Sequence, residues 1–469
     1  MLPMLLSNTN RIHEKYTEIL EQSKGTFMIK GAWFSKMKML TTSDPANVQY
    51  IMSMNFSNYS KGSEFKKVFD VLGDGLFNCD FEDWRSQRKH ASAFFNHQQF
   101  HFFTRRIVQD GVDKGLVPVL EHVSRQGIVV DLQDLFQRLM FDATCILATG
   151  QYPGSLCTDF PEAPFSKAMD EACETIFSRH FMPESFWKLQ KWLGIGKEKK
   201  LSEAWEILDH IIGDYISRRR DELNNTRTKS SKNEVSFDAL KCYLTEPDVL
   251  GPTPSDALLR DNLLGLMLAG RDTTSAALAW FFWLISRHPL VQTKIREELK
   301  ANLPAKEAET WRLFKIEELS KLVYLHGALC ETLRLFPPVP LQRRTPVRAD
   351  TLPSGHHISP DTMVVISTYA MGRMPSVWGK DCQEFKPERW ISEMGGNKHE
   401  PPHKFFAFNA GPRTCLGKML AFTEMKAVAA AIIHNYNLQV VEGHPVKPAA
   451  SIVLHMKHGL KARITKRWA

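Results

Sequence analysis

The chain has 469 residues, 43% of them hydrophobic, and a formal charge of +8; that is long enough to bury a sizeable core, and we expect one domain over 1–469. So mild a charge excludes the strongly basic signature of a nucleic-acid binder and fits a solvated surface, an acidic protein partner or an anionic membrane surface. The eight cysteines form no C-x-x-C pair and share no spacing, which suggests neither a zinc site nor a disulfide framework and favours a reducing compartment.

No apolar run reaches the roughly 18 residues of a membrane span, and no secretory leader is visible. Met1–Leu6 is apolar but short. Asn55, Asn58 and Asn224 open glycosylation acceptor patterns, expected to be unused on a cytosol-facing chain. Arg11–Ser23 reads as an amphipathic helix, Thr26–Lys30 and Met37–Thr42 as strands. Asp44-Pro45 starts a further helix to about Met54, because Asp caps and Pro suits the first helical position. Lys61–Asp80 reads as a long Phe-rich connection, of the kind that is buried or covers a ligand.

Trp84 and Arg88 stand one helical turn apart. Helical patterns follow at Ala91–Asn96, Gln98–Arg125, Asp131–Thr149, Phe165–Arg179, Pro183–Leu193 and Lys199–Asn224. Asn225–Ser236 is polar and reads as a mobile surface loop. Asp256–Arg287 is a long uninterrupted helical pattern, apolar nearly all round and therefore buried. It contains Ala269-Gly270-Arg271-Asp272-Thr273-Thr274. Gly in a buried helix costs about 1 kcal/mol against Ala, which suggests a function, although Asp and Thr that bond only to their own backbone would look the same.

Glu331 and Arg334 share a helix face that begins near Tyr324. Pro337-Pro338-Val339-Pro340 forces an extended exit. Short strands are expected at Thr351–Leu352, His357–Ile358 and Met363–Thr368, and a pairing of Ile452–Met456 with Lys461–Thr465. Last, Phe408-Asn409-Ala410-Gly411-Pro412-Arg413-Thr414-Cys415-Leu416-Gly417 sets one cysteine between glycines, just ahead of a helical stretch. A thiolate there is favoured by backbone N–H groups and the positive helix end. Glycines let backbone approach a flat group, Phe408 can stack on it, and Arg413 can meet an anionic substituent.

This loop resembles the haem-binding loop of the cytochromes P-450, the haem-thiolate monooxygenases. Three further motifs match that family in its order: Trp84-x-x-x-Arg88, Ala269-Gly270-x-Asp272-Thr273, and Glu331-x-x-Arg334 with Arg389. The resemblance implies a mainly α fold with small β-sheets (α+β), the haem lying between the long helix and the cysteine loop. It implies haem b, with Cys415 as axial ligand. Trp84, Arg88, Ala269, Gly270, Arg344, Phe408, Gly411, Arg413 and Gly417 would surround the haem. Thr273 would donate a hydrogen bond to the bound oxygen, and Asp272 would link it to solvent protons. Glu331, Arg334 and Arg389 would be a buried structural cluster. Electrons would come from NADPH through a separate NADPH–cytochrome P-450 reductase, since no G-x-G-x-x-G follows a strand here. Arg88, Lys89, Arg413, Lys418 and Lys426 would form its basic dock. Family members sit on the cytosolic face of the endoplasmic reticulum membrane behind an N-terminal anchor that this chain does not show, so a truncated or mis-assigned start is expected.

Phe65–Gly73, Leu268–Thr274 with Trp280–Leu284, Phe385–Ile391, Lys404–Phe408 and Met456–Leu460 resemble the plant mid-chain alkane and fatty-acid hydroxylases. That resemblance implies a long aliphatic substrate, met by Phe69, Phe77, Leu264, Met267, Leu268, Val339, Leu341, Val453 and Leu454. Alkaloid phenol coupling is the alternative, and a haem protein that does not oxygenate its substrate is the alternative class.

Overall fold

Ser255 opens the helix on which the chain is built. Its hydroxyl accepts from the Leu258 N–H at 3.3 Å, and Asp256 adds negative charge to the first turn of a 32-residue helix, Asp256–Arg287. At 1.5 Å per residue it spans about 48 Å. Pro289 begins the next helix, Pro289–Ala301, because it cannot continue the previous one. The computed structural model describes residues 11–30, 38–228, 237–245, 254–304, 307, 309–360 and 362–468. Met1–Leu6, Met37 and all of the predicted loop beyond Thr228 lie outside them. The first residues of that loop, 225–228, end the helix Gly196–Thr228.

The central helix is buried on nearly every side. Leu132–Thr149 packs along it. Trp280 stacks on Phe336 with ring centres 4.1 Å apart, and its indole N–H donates to the Leu454 carbonyl at 2.7 Å. Burying each side chain of Trp280, Phe281 and Phe282 contributes roughly 1.5–3 kcal/mol. Trp84, Arg88 and the predicted Ala91–Asn96 segment belong to one helix, Phe81–Asn96. Gln98–Asp110, the π-helical Gly111–Leu116 and Val117–Gln126 run on as one rod. The wider turns fall where Gly111, Gly115 and Pro118 weaken the regular ladder. Lys61–Asp80 is less loop-like than expected: it contains the helical turns Ser63–Val68 and Asp70–Leu72.

Ten short strands complete the described fold: β1 (Thr26–Lys30), β2 (Lys38–Thr42), β3 (Tyr59–Ser60), β4 (Val130–Asp131), β5 (Leu341–Pro346), β6 (Asp350–Thr351), β7 (His357–Ile358), β8 (Thr362–Ser367), β9 (Tyr436–Val440) and β10 (Lys461–Lys466). A five-stranded sheet has the order β1-β2-β8-β5-β3, a three-stranded one β4-β10-β9, and β6 pairs with β7. β2 and β8 are parallel, with Met39 opposite Met363 and Thr41 opposite Val365. β5 and β8 are antiparallel, with Arg343 opposite Val365. The expected pairing of Ile452–Met456 with Lys461–Thr465 does not form. β10 pairs with β9 and β4, while 452–456 is an irregular segment tied by its Leu454 N–H to the Pro338 carbonyl at 2.9 Å. Its consecutive apolar residues are buried on opposite sides, which alternation cannot reveal. Among the described residues no helix is long and apolar enough to cross a membrane.

Candidate active site

A cavity of about 510 Å³ lies between the middle of the central helix and the cysteine loop. The helix presents one stripe to it: Asn262, Gly265, Leu266, Ala269, Gly270 and Thr273, spaced three and four apart as one helical face must be. Thr273 Oγ1 donates to the Ala269 carbonyl at 2.6 Å, which leaves its lone pairs free toward the cavity. The helix stays α-helical through this point.

Gly270 has a second reason to lack a side chain. A Cβ there would stand 2.6 Å from Thr144 Oγ1 and 3.0 Å from Thr144 Cγ2 on the neighbouring helix. Gly270→Ala is expected to cost about 1–3 kcal/mol by overpacking. Adding Thr144→Ala, which removes both atoms, should recover most of that loss in a double-mutant unfolding cycle.

Across the cavity stands Cys415. Its N–H donates to the Phe408 carbonyl at 2.9 Å, closing the loop beneath the sulfur. Gly417 caps the helix Lys418–Asn435, so the sulfur sits at the positive end of a helix. Cys415 lines the cavity. Burial pushes the thiol up, against the backbone N–H groups of Gly417 and Lys418 and the charges of Arg88 and Lys418. A bound metal ion would displace that proton. Phe408 lines the same wall and packs against Phe422 at 5.2 Å. Asn409 holds φ 65°, ψ −178°, a region nearly reserved for glycine that costs about 1–3 kcal/mol. Its amide donates to Gln342 Oε1 at 3.0 Å, a clamp the sequence did not signal. Gly411 is not on the cavity. It takes φ +62°, and a Cβ would meet the Met52 carbonyl at 1.9 Å, so it serves close packing of the loop on the segment Tyr50–Met54.

One end of the cavity is cationic. Arg88, Arg344, Arg413 and Lys61 line it, and Asp80 is the carboxylate that meets Arg413, at 2.8 Å. Arg413 also lies over the Trp84 ring at 4.7 Å. Arg88 donates to the Thr414 carbonyl at 2.5 Å. Burial and the neighbouring Arg413 push Arg344 down to about 9, its Nε has no partner among the described residues, and burial holds Lys61 well below the usual lysine range. Two anionic substituents on a flat cofactor would settle this imbalance, as haem propionates do. A flat iron cofactor ligated through sulfur therefore fits the residues present. Lys61 escaped notice in the sequence because a lysine in a Gly- and Phe-rich stretch reads as surface.

Asp272 does not face the cavity. It is fully buried beside Arg271, to which it is paired. Arg271 also reaches Asp170 at 3.1 Å, whose side chain is 43% exposed. His455 lies within 4.8 Å of both carboxylates, and its two ring nitrogens and Asp272 Oδ2 have no partner among the described residues. Burial pushes Asp272 up, against the pull of Arg271 and His455. Leu264 and Met267 also miss the cavity, since both lie off its stripe and are buried in the core. Leu454 also misses the cavity, buried in the core with its carbonyl bonded to Trp280. Phe69, Phe77, Leu268, Val339, Leu341 and Val453 do line the cavity.

Glu424, which sequence reading passed over, also lines it. Burial pushes its carboxyl up to about 8, with Thr274 pulling the other way. The native acid thus stays protonated over a range in which the unfolded chain, near 4.5, has ionised. Its contribution to stability is full below about 4.5 and is lost as the pH rises toward 8, by at most about 1.4 kcal/mol per unit. Tm measured from pH 5 to 8 should therefore fall in the wild type relative to Glu424→Gln. Parallel profiles would mean the carboxyl is already ionised.

Glu331 is a hub. Both its oxygens accept from Arg334, at 2.7 and 2.8 Å. It also takes Trp390 Nε1 at 2.8 Å, the Lys386 N–H at 3.0 Å and Arg389 Nε at 3.4 Å. Arg334 spends its other donors on the carbonyls of Gly372, Cys382 and Glu384. The expected basic dock is smaller than five. Lys426 is buried, donating to the Leu319 and Leu322 carbonyls at 3.0 Å, and Arg413 is turned inward to Asp80. Lys89 and Lys418 remain exposed.

A lone thiol facing a threonine-bearing helix, with cations massed at one edge, defines a haem-thiolate oxygenase site. The chain belongs to the cytochrome P450 family, whose model matches residues 1–460. It is 46% identical to alkane hydroxylase MAH1 of Arabidopsis thaliana, over 100% of this chain and 92% of that one. It is 40% identical to noroxomaritidine synthase 1 of Narcissus pseudonarcissus, over 100% and 90%. Cytochrome P450 86B1 of Arabidopsis thaliana is also 40% identical, over 100% and 84%. The protein is thus a monooxygenase with a cysteine-ligated haem iron, taking oxygen, a redox partner and a hydrophobic substrate.

Proposed function

We propose that this chain, as one catalytic domain, hydroxylates a long aliphatic substrate, an alkane or a fatty acid. The observation that carries the reading is the wall of the cavity. Phe65, Phe69, Phe77, Phe94, Phe177 and Phe181 line it, an apolar surface suited to a flexible chain, and it leads to Thr273 and Cys415. The alkane hydroxylase among the relatives supports the same reading. Absorbance titration of the holoprotein tests it: hexadecane or hexadecanoate should shift the haem spectrum, and a shift only with phenolic alkaloids would overturn it in favour of phenol coupling.

The group held is haem b, its propionates met by Arg88, Arg344 and Arg413 beside Trp84. Bound there, it supplies oxygen activation and C–H oxidation. The chain's own residues supply the rest. Cys415 gives up its proton to become the ligand. Thr273 turns its hydroxyl from the Ala269 carbonyl to hand a proton into the cavity, and Asp272, backed by Arg271, His455 and half-exposed Asp170, restores it from solvent. Removing a positioned proton donor costs about 100-fold or more, so Thr273→Ala should lose most product per NADPH consumed and release hydrogen peroxide instead.

NADPH–cytochrome P-450 reductase is the electron donor, docking near Lys89 and Lys418. The enzyme works at the cytosolic face of the endoplasmic reticulum membrane. Supporting this, Phe186, Leu189, Trp192 and Leu193 on the helix Glu184–Leu193, with Ile195 beyond, form an exposed apolar patch of the kind that rests on a lipid surface.

A further inference from the structure

Successive residues of β5 point to opposite faces of the sheet. Gln342 and Arg344 turn toward the cysteine loop, through Asn409 and toward Arg413. Leu341 and Arg343 turn the other way. Residues paired across strands share a face, so Arg343 stands with Val365, and Val365 with its neighbours Met363 and Met39. All of these line the cavity. Opposite them are Phe177, Phe181 and His180, the last with Nδ1 already engaged by the Ile176 carbonyl at 2.9 Å.

On this otherwise apolar wall the Arg343 guanidinium has no partner among the described residues. Its Nε is buried and unbonded. Among the described residues no ion pair or hydrogen bond reaches the guanidinium, and Glu64, whose charge it feels, is paired to Lys67 at 2.5 Å. Holding a charge in an apolar wall without a partner is costly. A guanidinium presents a fork that matches one chemical group above others, a carboxylate gripped by two parallel N–H bonds.

We propose that Arg343 anchors the carboxylate of a long-chain fatty acid, whose hydrocarbon tail then runs through the phenylalanine-lined cavity toward Thr273. This rests on the aliphatic reading above and narrows it, from alkanes or acids to acids. The strand separates this anchor from the haem cations. Arg344, Arg413 and Arg88 serve the cofactor on one side, and Arg343 serves the substrate on the other. Fixing the head group also fixes which carbons reach the oxygen, because the chain is measured from the anchor.

The test compares hexadecane, 1-hexadecanol and hexadecanoate on the holoprotein, wild type against Arg343→Met and Arg343→Lys, by absorbance titration and by calorimetry. The wild type should bind hexadecanoate most tightly. Arg343→Met should weaken hexadecanoate roughly 10- to 100-fold, the size of a charge-assisted pair, and leave hexadecane level or tighter. Arg343→Lys should fall between. Equal changes for acid and alkane, or no change for either, would overturn the anchor while leaving the aliphatic reading standing. Loss of haem from Arg343→Met would also overturn it, by placing the residue with the cofactor. Absence of any response by the wild type to all three ligands would overturn both readings together.

Discussion

Cys415→Ala is expected to abolish the thiolate-type absorbance of the reduced, carbon-monoxide-bound protein and to take oxygenation to background. Even residues that merely orient a metal ligand are worth 10- to 100-fold in affinity or activity, so removing the ligand itself must cost at least about 100-fold. The fold should survive. Cys415 forms no side-chain bond that packs the core, its sulfur faces the cavity, and the loop is closed by backbone, Cys415 N–H to the Phe408 carbonyl at 2.9 Å. Far-ultraviolet circular dichroism of the variant should therefore match the wild type while the haem spectrum changes. A variant that kept the thiolate band would mean another group holds the iron.

Glu331→Ala is expected to have the largest effect on folding itself. The carboxylate is fully buried and takes bonds from Arg334, Arg389, Trp390 and the Lys386 backbone. Taking it away leaves the Arg334 guanidinium, 2% exposed, without its counter-charge. Breaking a buried pair on one side costs about 3–5 kcal/mol, a large part of a domain's net stability. We expect little soluble protein, or a marked fall in Tm with haem lost early in the melt. Glu331→Gln keeps the shape and one acceptor oxygen, so it should fall less far; an unchanged Tm in Glu331→Ala would show that the cluster is not what holds the segment leading into the cysteine loop.

Much of the site was legible in order along the chain. The cap at Asp44 and the apolar period of Asp256–Arg287 act within a turn or two of themselves, and they fell close to where they were read. The cysteine loop, the Thr273 segment and the Glu331–Arg334 pair were likewise visible, because each is a set of near neighbours with fixed spacing. Strand partners were not. β10 could have met Ile452–Met456, a few residues away, yet it met β9 and β4 instead, and nothing local decides between a near and a distant edge.

Direction was the other thing the sequence could not hold. By itself it determined that residues 269–274 interrupt the apolar pattern of a helix, that Cys415 stands just ahead of another, and that Arg343 and Arg344 stand side by side. Only the packed structure decided that Thr273 faces the cavity while Asp272, Leu264 and Met267 turn from it, that Leu454 serves Trp280, and that Lys61, Glu424 and Arg343 point inward. Helical period and strand alternation fix which residues share a face, but which face meets the ligand depends on neighbours brought together from far along the chain.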